Sequence, residues 1–193
     1  MVLVRPATDA DLPAIAAIYD EEVRHGISTF ATEPPGPEHW RERLASGHPG
    51  DHLLVGEFHG EVVGFAGSGS YRPRAAYART RETSVYLAPT ARGQGVGRAL
   101  YDELLRRMRH DGVRLAVAVI AVPNPASQGL HRACGFRHVG TLHDVGHKLG
   151  RWIDTELWER PLSLDPGSGE QQLVEAASHD REPHHAHGDQ VDD

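Results

Sequence analysis

Thr83-Ser-Val-Tyr-Leu-Ala-Pro-Thr-Ala-Arg-Gly-Gln-Gly-Val-Gly-Arg-Ala-Leu100 reads as a strand, a proline turn, a glycine-rich loop and the start of a helix. Val85, Tyr86 and Leu87 favour extended backbone, and Pro89 closes the strand because it has no amide to donate. Gly93, Gly95 and Gly97 leave backbone amides uncovered by side chains. From Val96 the spacing becomes helical: Val96, Leu100, Leu104 and Met108 share one face, with Arg98, Asp102, Arg106 and Arg109 off it. Free amides therefore gather where a helix dipole begins, beside Arg92 and Arg98, which suits phosphate groups. The same glycines also fit a plain strand-to-helix connection. A Walker loop is excluded, since no Gly-Lys-Ser/Thr follows, and in the dinucleotide fingerprint the third glycine would come one residue later.

Working outward, the chain has 193 residues, 39% of them hydrophobic, which is enough for one domain with a real core. The net charge of −7 comes from the C-terminal end, where eight acidic residues face only Arg181 after position 162. Residues 1–162 are near neutral, so neither part offers a basic surface for nucleic acid. The apolar runs are too short to span a membrane, and no secretion signal is expected from Met-Val-Leu-Val-Arg-Pro. The single cysteine, Cys134, forbids an internal disulfide and fits a reducing cytoplasm.

Before the central stretch, a strand is expected at Leu3–Arg5. A helix follows on Leu12, Ile15, Tyr19 and Val23, with Thr8 or Asp9 as its cap and Pro13 in its first turn. Gly26 to Pro37 is aperiodic, and its Phe30 either packs under the loop or lines a pocket. A short helix is expected from about Glu38 to Ala45. Strands His52–Phe58 and Glu61–Ser68 meet at His59-Gly60. Arg72 and Arg74, around Pro73, are either solvated or placed to clamp a carboxylate.

After the central stretch, the Val/Ala/Ile run of Arg114–Val122 reads as a strand buried on both faces. A helix at Ser127–Ala133 and strands at Arg137–Leu142 and Trp152–Glu159 complete the order β-α-α-β-β-β-α-β-α-β-β. That order implies an α+β layered sheet with helices on its faces. Residues 163–193, acidic and rich in Gly, Ser, Pro and His, read as a disordered tail. Its histidines 179, 184, 185 and 187 have no scaffold to fix a metal site, and no metal is expected.

Arg92-Gly-Gln-Gly-Val-Gly97 resembles the Arg/Gln-x-x-Gly-x-Gly/Ala pyrophosphate loop of the GNAT N-acetyltransferase superfamily. The sequel matches too: a buried strand, Asn124-x-x-Ser127, then Leu130-His-Arg-Ala-Cys-Gly-Phe136. Within the superfamily the chain closely resembles the phosphinothricin and L-amino acid N-acyltransferase group, through Ile27–Thr32, Ser70–Arg74, Glu82–Tyr86, Leu142–Gly146 and Lys148–Asp154. The resemblance covers residues 3 to about 162, taken as one acetyltransferase domain.

It implies a mixed sheet with a splayed parallel strand pair, acetyl-CoA as cosubstrate, a small-molecule amine as acceptor and a homodimer. It further implies that Val85, Tyr86 and Leu87 meet the pantetheine arm, that Arg92, Gly93, Gln94, Gly95, Val96, Gly97 and Arg98 hold the pyrophosphate, and that Asn124 and Ser127 contact CoA. Glu82, which shares a strand face with Ser84 and Tyr86, would be the general base, and the Leu87 amide would stabilise an oxyanion. His131 is either the general acid or a packing histidine, and Cys134 reads as a core residue rather than a nucleophile. Phe30, Arg72, Arg74, Tyr77, Glu82 and Ser84 would form the acceptor pocket. Two other functions fit the same residues: acetylation of protein N-termini or lysines, and acyl-CoA binding without catalysis.

Overall fold

The computed structural model describes residues 2–162, so the expectations for the tail lie outside the described residues. Seven strands form one sheet in the order β1-β2-β3-β4-β5-β7-β6. They are β1 Leu3–Pro6, β2 Leu53–Phe58, β3 Glu61–Ser70, β4 Thr80–Leu87, β5 Leu115–Val122, β6 Arg137–Lys148 and β7 Arg151–Pro161. Four helices cover it: α1 Leu12–His25, α2 Gly36–Leu44, α3 Val96–His110 and α4 Pro125–Ala133. The element order is the one expected, and the architecture is α+β layered.

Each face of the sheet buries its own core. Leu100, Tyr101, Leu104 and Met108 of α3 pack with Ala116, Ala118, Ile120, Phe136 and Trp158. On the other face Ile15 and Trp40 of α1 and α2 pack with Leu53, Val55 and Phe65. The α3 side follows from an apolar stripe repeating every helical turn. The α1/α2 side is smaller and aromatic, with Trp40 edge-on to Tyr19 and Phe65.

Every strand pair is antiparallel except β4–β5. That parallel ladder is short: only Thr80, Arg81 and Glu82 pair with Leu115, Ala116 and Val117. Beyond it the strands part, yet neither frays. β4 stays paired with β3 to Leu87, and β5 stays paired with β7 to Val122. The result is a gap in mid-sheet.

Several features differ from expectation. β4 starts at Thr80, so Glu82 is its third residue. The early part is masked in sequence by Arg79 and Arg81, the latter buried against Asp51. β5 is not buried throughout, because Val119 is exposed where the gap opens. β6 runs on to Lys148, with an irregularity between Leu142 and Gly146 and Asp144 at φ 50. Most of β6 is exposed on both faces, so it shows no alternation to read. Its turn is therefore the tight Leu149-Gly150 rather than a long connection. α2 starts at Gly36, two residues early.

Candidate active site

A cleft of about 410 Å³ opens where β4 and β5 separate. Its walls come from both strands (Glu82 to Tyr86 and Val119 to Ala121), from Ile27–Phe30, from Trp40 and Arg43 of α2, and from Asn124, Ser127 and His131 of α4. Tyr101 of α3 also lines it, so the cleft passes through the sheet to the α3 face.

Backbone alternation decides what β4 presents to the gap. Ala88 donates to Val63 at 2.9 Å, and Leu87 pairs with Gly64 in register. Ala88, Tyr86 and Ser84 thus direct their amides and carbonyls at β3, while Val85 and Leu87 turn theirs toward the gap. Past Leu87 the chain makes a 3₁₀ turn at Pro89–Ala91 and enters the glycine loop. Gly93 (φ 75) and Gly95 (φ 80) hold left-handed backbone that other residues adopt at a cost. Gly95 is the N-cap of the 15-residue α3, and no side chain caps that end. Backbone amides, a helix dipole and exposed Arg92 and Arg98 therefore gather past the C-terminal end of β4, beyond the residues that line the cleft. Arg98 is tied to Asp102 and to the Ala133 carbonyl at 2.7 Å, and Arg92 lies 3.8 Å from Glu22.

Thr83 sits at the point of separation. Its hydroxyl donates to the Val117 carbonyl at 3.1 Å, so a side chain takes over where the backbone ladder stops. Tyr101 Oη lies 3.4 Å from Thr83 Oγ1 and 2.8 Å from His131 Nε2. His131 Nδ1 is 2.7 Å from the Ser127 carbonyl, which only accepts, so Nδ1 carries the proton and Nε2 accepts from Tyr101. Burial lowers the His131 pKa, with the Ser127 carbonyl opposing, which favours the neutral ring of that assignment. Burial pushes Tyr101 and Tyr86 well above the ordinary phenol range.

The Glu82 carboxyl faces the cleft. Packing around it raises its pKa, against the pull of Arg72 and Arg43. The Ile27–Phe30 segment is fixed from several sides. Tyr86 donates to the Ser28 carbonyl at 3.3 Å. Tyr19 Oη and Thr29 Oγ1 share a 2.6 Å hydrogen bond. Buried Lys148 donates to the carbonyls of Thr29 (2.8 Å) and Glu22 (3.2 Å). The Phe30 ring lies on Gly146, where a Cβ would meet Cε2 at 2.2 Å.

Residues 15–136 match the profile of the acetyltransferase (GNAT) family. The chain belongs to that family. The acetyltransferase is 48% identical over 165 residues to phosphinothricin N-acetyltransferase of Alcaligenes faecalis, covering 83% of this chain and 82% of the relative. It is 38% identical over 167 residues to the L-methionine sulfoximine/L-methionine sulfone acetyltransferase of Pseudomonas aeruginosa, covering 84% and 95%. A solved structure of the phosphinothricin acetyltransferase of Sinorhizobium meliloti, in complex with AcCoA, superposes with a TM-score of 0.82 at 37% identity, covering 89% of this chain and 97% of that one.

Of the residues singled out in the sequence, Glu82, Ser84, Val85, Tyr86, Phe30, Asn124, Ser127 and His131 line one cleft. Leu87 and Gly93–Arg98 continue from its β4 end. Arg72, Arg74 and Tyr77 do not line it. Arg72 stacks on Tyr71, and Tyr77 packs edge-on to the same ring, outside the cleft. The Asn124 side chain accepts from the Ser127 amide at 3.0 Å as the α4 cap and reaches Ser28 Oγ at 3.3 Å. Sequence reasoning missed Arg43, Tyr101 and Lys148. Only Arg43 left a trace, as a charge three residues after Trp40 on the inward face of α2.

The His131 ring of this acetyltransferase should titrate below the ordinary imidazole range and carry its proton on Nδ1 when neutral, as read from its imidazole nitrogen shifts. A neutral ring protonated on Nε2 would contradict the hydrogen-bond assignment.

Proposed function

We propose that this acetyltransferase moves the acetyl group of acetyl-CoA to the primary amine of an amino acid or amino-acid analogue, of the phosphinothricin and methionine sulfoximine kind. The observation that carries this is the position of Glu82, at the last backbone pair before the strands part. A carboxyl there lies beside both the gap and the pocket under α1 and α2.

The residues present fit acetyl-CoA. The gap exposes the polar backbone of Val85 and Leu87 to an amide-bearing arm that would pair like an added strand. The glycine loop and the α3 N-terminus suit a diphosphate, and Arg92, Gln94, Val96 and Arg98 belong to that end. When bound, acetyl-CoA supplies an acyl group activated as a thioester. The protein's part is to place and deprotonate the amine. An amine is mostly protonated at neutral pH, so Glu82 takes its proton, directly or through water. The Leu87 amide, turned into the gap, is the donor for negative charge developing on the acyl oxygen. With both ring nitrogens engaged, His131 holds the Tyr101 hydroxyl rather than serving as a free acid. A carboxyl whose pKa lies above its ordinary value becomes a stronger base once ionised, matched more closely to an amine.

Glu82→Gln should lower kcat about 10²–10⁴-fold. In the wild type, kcat/KM should rise with pH through a value above the ordinary carboxylate range, as Glu82 loses its proton. That limb should vanish in the variant. The assay is thiol release from acetyl-CoA across amino acids, their analogues and short peptides with free N-termini. Unchanged turnover in Glu82→Gln would remove the base, and preference for peptides would favour protein acetylation.

We also assign a homodimer and a cytoplasmic setting. Large exposed apolar side chains gather on the β6–β7 hairpin: Val139, Leu142, Val145, Leu149 and Trp152, the last 65% exposed. Buried Cys134 is the lone cysteine. Sedimentation equilibrium should give twice the chain mass at micromolar concentration, and the monomer mass for Leu142→Glu with Trp152→Glu. A wild-type monomer would overturn the assignment.

A further inference from the structure

Arg43 is the cation of the cleft that the chemistry above leaves without a task. Its guanidinium makes no hydrogen bond or ion pair among the described residues, although it lines the same cleft as Glu82. Its place is set by two glycines of β3. A Cβ on Gly67 would stand 2.8 Å from Arg43 Nη2, and one on Gly69 would stand 4.0 Å from it. In register, Gly67 lies opposite Ser84 and Gly69 opposite Glu82. Residues directly opposite in an antiparallel pair project to the same face. The guanidinium therefore lies over bare backbone, level with the Ser84 and Glu82 side chains and on their side of the sheet. Desolvation weakens its hold on its proton, and Tyr86, Tyr19 and Glu82 oppose that effect. The residue is half-buried, and its guanidinium, paired with no carboxylate of the described residues, is open to an anion entering the cleft.

We infer that Arg43 binds the α-carboxylate of the acceptor, so that the cleft selects free α-amino acids over simple amines and peptide N-termini. This rests on the reading that Glu82 faces the acceptor's amine. In an α-amino acid the nitrogen and the carboxyl carbon are bonded to one carbon, so the two groups lie about 2.5 Å apart. A base and a guanidinium side by side on one face match that pair, and the planar guanidinium takes a carboxylate through two parallel bonds. A peptide N-terminus carries a neutral amide at the same position and leaves Arg43 unpaired.

The test compares methionine sulfoximine with its α-carboxamide, using the full chain. Wild type should favour the acid by about 10–100-fold in kcat/KM, the range of a hydrogen-bonded charge pair. Arg43→Gln should raise KM for the acid by a similar factor, move KM for the amide less than about threefold, and leave acetyl-CoA affinity unchanged. Arg43→Lys should restore part of the preference. Calorimetry of acid and amide binding in the presence of CoA asks the same question without turnover. Discrimination in binding by wild type, lost in Arg43→Gln, supports the carboxylate site even if turnover fails and the catalytic reading falls. Equal binding of acid and amide by wild type, or an equal loss of both in Arg43→Gln, overturns it.

Discussion

The hydroxyl of Thr83 holds the place where the sheet divides. Three residue pairs of parallel ladder precede it, and none follows. A fork of this kind is costly unless the freed backbone finds other partners. Here each strand keeps its outer neighbour, so only the inward-turned groups of β4 and β5 are released. Thr83 supplies the last rung through Val117, and beside it a second set of hydrogen bonds runs from Tyr101 through His131 to the Ser127 carbonyl in α4. The side chains that fix the fork thus come from β4, α3 and α4. A buried histidine and a buried tyrosine thus sit at the bottom of the cleft with their polar atoms already engaged.

The face under α1 and α2, where we place the acceptor, gathers charge. Half-buried Arg43 and exposed Arg72 both act on the Glu82 carboxyl. Desolvation pushes the Glu82 carboxyl and the Arg43 guanidinium toward their neutral forms; Arg72 and then Arg43 oppose it at Glu82, and Tyr86, Tyr19 and Glu82 oppose it at Arg43. The Ile27–Phe30 segment closes this side because its carbonyls are taken by Tyr86 and Lys148. Burial lowers the pKa of Lys148, with Glu22 opposing. A lysine spent on backbone carbonyls is a structural use of charge, and it links the acceptor wall to the β6–β7 hairpin.

Much of this was legible in the chain itself, wherever the signal is local. Strand, proline turn, glycine loop and helix follow one another within Thr83–Leu100. The α3 stripe and the His59-Gly60 turn, both residues at positive φ, are as local. Non-local features were hidden. No residue type announces that two strands stop pairing at position 82, since that depends on what each pairs with on its other side. β6 carries polar and apolar residues without alternation, because most of it is exposed. Arg81 looks like a surface charge but is buried against Asp51. Arg43 likewise reads as solvated until Gly67 and Gly69 are seen beneath it.

The account depends on the open backbone edge of β4 being the surface that receives the cosubstrate. Residue-resolved amide hydrogen exchange with and without acetyl-CoA measures this directly. The amides of Val85, Leu87 and Gly93 to Gly97 should become strongly protected on binding, while those of Ser84 and Tyr86, already paired with β3, change little. Bound acetyl-CoA with no new protection at Val85, Leu87 and the glycine loop would contradict it.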